Sequence, residues 1–374
     1  MTSNFAYRYL TLTPEHTSAV KGATTPIATT YGVASAMTAP AGTLSGTATP
    51  VTGEIDDESV QYRFDLLTRA DVSRYGAAKS VNGKEYSEGG INFVAQPDDF
   101  LGLCIFGIYG SGAGYTIGAS DRIHSFTENA ANILPSFTLE VGREEFEHTY
   151  TGMCITRLGL NCTHGEYVTM SVDFTGKSES GIAALVSRVY NGAALDGFHF
   201  ADGEVKFSEA GAAGVASTKI KSISLDFGMN LDTDAACSIG NQTYIRKPEP
   251  QMREITGTVE FSDASTRTPL TGTETASVPT YNMLLAAAGK MYTGDAADPA
   301  IKLVLANGTE TLAIGIRKVR WEAPTANISG RDTQTLSLNF VALVDVTDNV
   351  MSQMTLTHSA ASSSFAVGVK YDTV

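Results

Sequence analysis

Glu144, Glu145, Glu147 and His148 fall within one five-residue stretch. Clustered carboxylates and an imidazole are what a metal site or an acid–base pair requires. The nearest second imidazole, His164, lies at the other end of an apolar-rich stretch. There is no HxxxH spacing and no matching cysteine, so a charged, solvated loop is the expected setting. The four cysteines (Cys104, Cys154, Cys162 and Cys237) contain no CxxC pair, and buried free thiols are expected. Ser136 and Ser329 have no nucleophile elbow around them. The glycine-rich run Gly110–Gly118 has the composition of a nucleotide loop, but such a loop needs a strand before it and a helix after it. Here the pattern puts a helix before it and strands after. Asp56, Asp57 and Glu58 form a short acidic run expected at the surface. Trp321, the single tryptophan, is expected to anchor a core or an interface. No constellation calls for catalytic, cofactor-binding or metal residues, so neither an enzyme nor a cofactor is expected.

The elements around these residues are strands. Across Pro135–Lys177, Phe137, Leu139 and Val141 alternate with Thr138 and Glu140. After an apolar run from Tyr150 to Leu160 and a turn at Thr163-His164-Gly165, Val168, Met170, Val172 and Phe174 alternate with Tyr167, Thr169, Ser171 and Asp173. Period-two alternation sends one set to a core and the other to solvent or a partner. Upstream, Val60, Tyr62 and Phe64 mark a strand. Asn82-Gly83 and Gly89-Gly90 read as turns, and Ile91–Val94 as the next strand. A helix follows, with Asp98 or Asp99 as N-cap and Gly110 as stop. It is apolar around most of its circumference and therefore buried. Asp196–Phe207 reads as a hairpin turning at Ala201–Gly203.

The same order then recurs. Ile220–Phe227 follows the pattern of Val60–Phe64, Ile255–Phe261 that of Gly90–Val94, and Tyr281–Gly289 is a second short helix. Ile301–Leu305 follows Phe137–Val141, Leu312–Trp321 follows Thr151–Leu160, and Thr335–Phe340 (TLSLNF) follows Thr169–Phe174 (TMSVDF). The expected organisation is an N-terminal arm (1–57), a first β domain (58–180), a linker with a hairpin (181–218), a second β domain (219–348) and a C-terminal tail (349–374).

With 374 residues the chain exceeds the roughly 250–300 at which one core tends to divide. The net charge of −14 removes the Lys/Arg surplus that gripping nucleic acid demands. The charged fraction of 18% is below the usual value near 25%, as suits a surface that ends up against other subunits. No apolar run approaches the ~18 residues of a membrane helix, and the first residues do not read as a secretory signal.

Pro135–Glu140, Tyr150-Thr151-Gly152, Tyr167–Gly176, Leu195–Phe198, Arg253–Gly257 and Asn327–Asp332, in that order, resemble the tail tube proteins of long-tailed bacteriophages, the major tail proteins of siphophages. The resemblance covers roughly residues 58–345. It implies a mainly β fold: two tandem β-sandwich or half-barrel domains, each with a flanking helix and a long hairpin that contributes to the inner β-barrel of a ring. It implies rings of three subunits with pseudo-sixfold symmetry, stacked into a tube that conducts DNA during genome ejection. The implied partners are copies of itself, tail terminator, tape measure and tail-tip proteins, and double-stranded DNA passing without specific binding. The implied location is the virion, after synthesis in the host cytoplasm. The competing readings are a tail-tip or terminator protein, a secretion-type tube, and a β-sandwich carbohydrate binder.

Overall fold

The computed structural model describes residues 8–14, 51–70, 77–110, 115–117, 121–128, 134–186, 196–208, 215–217, 220–261, 291–295, 297–322, 336–345 and 349–359. The strands are β1 (Arg8–Pro14), β2 (Val51–Gly53), β3 (Asp57–Glu58), β4 (Gln61–Ala70) and β5 (Ala77–Val94), followed by the helix α1 (Asp99–Tyr109). Next come β6 (Tyr115–Ile117), β7 (Asp121–Thr127), β8 (Phe137–Arg143), β9 (Phe146–Thr163), β10 (Thr169–Gly176) and β11 (Ser178–Ala184). The second half holds β12 (Gly203–Phe207), β13 (Val215–Ser217), β14 (Ile220–Gly228), β15 (Leu231–Asp232), β16 (Glu249–Pro250) and β17 (Glu254–Phe261). It ends with β18 (Met291–Thr293), β19 (Ile301–Asn307), β20 (Glu310–Ile316), β21 (Lys318–Trp321), β22 (Leu336–Leu343) and β23 (Ser352–Ser359).

The alternation of the central stretch becomes burial as expected. Val168, Met170, Val172 and Phe174 are inside, whereas Tyr167 is 59% exposed. The helix is also as expected. The Asp98 side chain accepts from the Leu101 N–H at 2.9 Å, and Gly110 closes the last turn in the left-handed region, donating to the Phe106 carbonyl. Every residue of α1 is buried, against β9, β2, β7 and β1.

All pairing between these strands is antiparallel. The larger sheet has 14 strands, and its main path runs β18-β21-β22-β17-β14-β9-β10-β5-β3. It branches at β9, whose 18 residues serve two neighbourhoods. The N-terminal half pairs with β8 and β11, the C-terminal half with β10 and β14. Gly152, at φ 67°, sits where β9 passes from one to the other. The second sheet has seven strands, ordered β13-β12-β19-β20-β23-β7-β6. One continuous hydrophobic core, from Leu10 to Leu356, lies between the layers, and no barrel closes within the described residues.

The pairing follows one scheme twice. In the first half β2 pairs β1, β1 pairs β8, β8 and β11 flank the start of β9, and the end of β9 pairs β10, then β5, then β3 and β4. In the second half β13 pairs β12, β12 pairs β19, β19 and β23 flank β20, and β21 pairs β22, then β17, then β14. The registers agree as well. Met170↔Phe93 and Val172↔Ile91 answer to Leu336↔Phe261 and Leu338↔Val259.

Several expectations change. The ends of the supposed N-terminal arm are sheet strands. Tyr9, Leu10, Leu12 and Val51 are buried because β8 and β2 pair with β1; residues 15–50 lie outside the described set. Asn82-Gly83 and Gly89-Gly90 do not turn the chain. They lie inside the continuous β5, where a register shift opposite Phe64/Leu66 absorbs the first pair. The hairpin expected over 196–207 does not form. Phe198 bonds instead to Ala95 and Val168, a 3₁₀ turn spans Phe200–Asp202, and β12 pairs with β19 and with β13. The supposed tail contributes β23 to the second sheet, because Met354, Leu356 and His358 alternate inward; its later apolar stretch at 365–371 is outside the described residues. The second helix, Tyr281–Gly289, also lies outside them.

Candidate assembly surfaces

The charged cluster at 144–148 dissolves into separate tasks. Glu144 (φ 52°) and Glu145 form the exposed turn between β8 and β9. Glu147 is buried and accepts from the Tyr9 hydroxyl, while His148 pairs with Glu179 at 2.7 Å. His164 is at the far end of β9, its ring edge-on to Phe200. Ser136 is buried, and Ser329 is outside the described residues. Cys104, Cys154 and Cys162 are buried free thiols, and Cys237 is partly covered. Trp321 is 1% exposed in the core.

Three surface features remain. The first is the edge formed by β3 and the start of β4. Among the described residues β3 pairs with β5 alone. Asp56 and Asp57 are exposed there as expected, but Glu58 is not simply solvated. Arg143 at the end of β8 grips its carboxylate through Nε and Nη2, each at 2.8 Å, and also donates to the Val60 carbonyl and the Tyr150 hydroxyl. The Glu58 carboxylate beside it raises the Arg143 pKa above its ordinary value. This fork fixes the edge strand to the β8–β9 hairpin. Arg143→Met should therefore lower unfolding free energy by about 2–3 kcal/mol in urea titrations. That is below the 3–5 typical of a fully buried pair, because both side chains keep some contact with water.

The second feature is the hairpin of β4 and β5 beyond the sheet. Its outward apolar residues are Phe64, Leu66, Leu67 and Val81, each at least half exposed. Ten residues at ~3.3 Å each give β4 a reach of about 33 Å. The loop carrying β15 and β16 packs on its base: Gln242 accepts from the Glu85 N–H and donates to the Asn82 carbonyl, and Lys84 lies over the Tyr244 ring. A connected apolar surface on a projecting ribbon marks an interaction site.

The third feature is the outer face of the larger sheet. It is polar from β5 to β22 and holds an open trough of about 710 Å³. Arg157 crosses it, bound by Nε to both oxygens of Asp226 at 2.8 Å and lying 3.6 Å from Asp173. Lys221 is held by Glu260 at 3.2 Å. Arg157 and Lys221 are thus already engaged by carboxylates, whereas Arg320 of β21 is exposed on the same face opposite Val341.

A family model described as phage tail tube protein matches residues 22–342. The chain belongs to the phage tail tube protein family. None of the curated proteins matches it. Membership makes this tail tube protein a structural component of a virion tail that assembles with copies of itself. In a protein that assembles with copies of itself, surfaces are working sites. The edge, the ribbon and the polar face are where its function has to be sought. No described helix of the tail tube protein is long and apolar enough to cross a membrane. The sequence singled out the acidic run but not the Arg143–Glu58 fork, whose partners are 85 residues apart. It also read turns at Asn82-Gly83 and Gly89-Gly90, inside what is the projecting ribbon and its continuation. The signal that was there is the apolar set Leu66, Leu67 and Val81, flanking residues that favour turns.

Proposed function

We propose that the chain carries two tandem units, and that three copies close into a ring with pseudo-sixfold symmetry. Such rings would stack into the tail tube of a siphophage-type virion, between terminator and tail-tip proteins and around a tape measure, and conduct double-stranded DNA at ejection. The observation that carries this reading is the pairing of β14 with the end of β9. By register, β14 occupies in the second half the place that β3 and the start of β4 occupy in the first: Ile223↔Val259 answers to Glu58↔Ile91, and Phe227↔Ile255 to Tyr62↔Ser87. Within the chain that place is filled by joining the other half's sheet. At β3 the same edge has no strand partner among the described residues, and a second copy of the chain supplies what β9 supplies to β14. A head-to-tail contact whose rotation closes gives a ring, and closure removes exposed edges.

The polar face then lines the channel. Asp57, Asp173, Asp226, Glu254 and Glu260 lie on it, and Arg157 and Lys221 are held by carboxylates. A wall on which described carboxylates outnumber cations, with Arg157 and Lys221 already held, offers phosphates few places to exchange counterions, so DNA slides along it.

The test uses the register. Inside the chain the Met229 N–H donates to the Thr156 carbonyl at 2.8 Å. Carried to the proposed contact, Phe64 of one copy meets Glu322 of the next. Both residues are exposed. Phe64→Cys with Glu322→Cys, in a Cys237→Ser background, should cross-link on oxidation of assembled tubes. Non-reducing gels should show a ladder that ends at the trimer. Absence of cross-links in intact tubes, or a ladder continuing past three, would refute the ring as described.

A further inference from the structure

Asp99, His124 and His358 meet in the interior, at 4%, 2% and 4% exposure. They come from three elements: the first turn of α1, β7 and β23. The Nε2 atoms of the two histidines face each other at 3.0 Å, and Asp99 Oδ1 lies 3.4 Å from His358 Nε2. All three ligand atoms are within 4.8 Å of one another. The imidazole planes are 8° apart, with centroids at 5.1 Å.

Each nitrogen of this pair is either a donor or a lone pair. Two imidazoles set nitrogen to nitrogen share at most one proton, and two protonated rings repel at that distance. A dication between them accepts both lone pairs and the carboxylate together. Tetrahedral zinc has bonds of about 2.0–2.2 Å to nitrogen and oxygen, which places neighbouring ligand atoms about 3.3–3.4 Å apart. Two of the three separations, 3.0 and 3.4 Å, lie within a few tenths of an ångström of this, and the third is within 4.8 Å. Two imidazoles and one carboxylate suit zinc and its late first-row neighbours, not calcium or magnesium, which prefer oxygen alone.

We propose that Asp99, His124 and His358 bind one divalent transition-metal ion, Zn²⁺ by ligand chemistry, with water at the fourth corner. The ion ties the helix to the seven-stranded sheet that contains β7 and β23. Its role is structural: the ligands are buried and face no trough. The site does not depend on how many copies form a ring.

The experiment uses the full chain, stripped with a chelator and titrated with Co²⁺. One Co²⁺ per chain should bind with the intense visible bands of tetrahedral cobalt, and one Zn²⁺ should displace it and raise the melting temperature. X-ray absorption of the zinc form should show two imidazoles and no sulfur. His124→Gln and Asp99→Asn should each weaken Co²⁺ binding by about 100-fold or more, since losing a group that merely hydrogen-bonds to a ligand already costs about 10–100-fold. Six-coordinate cobalt spectra, a sulfur neighbour, or unchanged binding in either variant would overturn the site. If a variant does not fold, the wild-type cobalt and X-ray spectra decide.

Discussion

Leu67→Asp combined with Val81→Lys should leave the monomer folded and abolish tube formation. Leu67 and Val81 are directly opposed on the β4–β5 ribbon, at 58% and 63% exposure. In the free chain the change replaces one cross-strand pair by another of opposite charge, and such pairs differ by no more than about 1 kcal/mol. Surface changes of this kind usually stay within ±0.5 kcal/mol. On the proposed arrangement, stacking covers the same positions with a neighbouring subunit. Burying a charged group without a built partner costs several kcal/mol, and the cost recurs in every copy. The measurements are urea unfolding of the monomer and electron microscopy of the product. Tubes of ordinary length from the double variant would mean that the ribbon does not carry the contact between rings.

Trp321→Ala should lower unfolding free energy by about 3–5 kcal/mol, the range for large aromatic truncations in a closed core. The indole touches Phe340 at 5.3 Å, Phe207 at 6.1 Å and Tyr292 at 6.2 Å between ring centroids. Phe340 and Tyr292 belong to the larger sheet and Phe207 to the smaller, so one side chain fills the space between layers. Its Nε1 finds no acceptor among the described residues. Trp321→Phe keeps most of the ring volume and removes that unpaired donor, so it should lose only about 1–2 kcal/mol. The chain has no other tryptophan, so circular dichroism is the readout. Equal losses in the two variants would show that the indole's bulk is not what stabilises the layers.

Local signals carried far. The helix was legible because Asp98 and Gly110 bracket an all-apolar run, and no competing pairing exists for such a segment. β10 was legible because one face of its alternating stretch is more deeply buried than the other, and β8 because its apolar and polar side chains alternate in sequence although both faces are covered. β5 was obscured because Asn-Gly and Gly-Gly look alike in a tight turn and in the interior of a long strand; which one occurs depends on a partner strand that only folding supplies. β23 was obscured because two of its buried positions, Ser352 and His358, are polar, which leaves only Met354 and Leu356 to show the apolar alternation. The candidate surfaces were the least legible. An edge becomes visible only after every other strand has found its neighbour, and the His124–His358 meeting joins positions 234 residues apart.

The junction of β9 with β14 has a consequence for how a ring is built. On the proposed arrangement, alternate seams around the circle are closed by folding, before any subunit meets another. Each such seam avoids the loss of translational and rotational freedom that a bimolecular encounter entails, about 4–15 kcal/mol. Two collisions then gather the chains of a circle that six separate half-sized chains would need five to assemble. The threshold concentration for nucleating a tail falls accordingly.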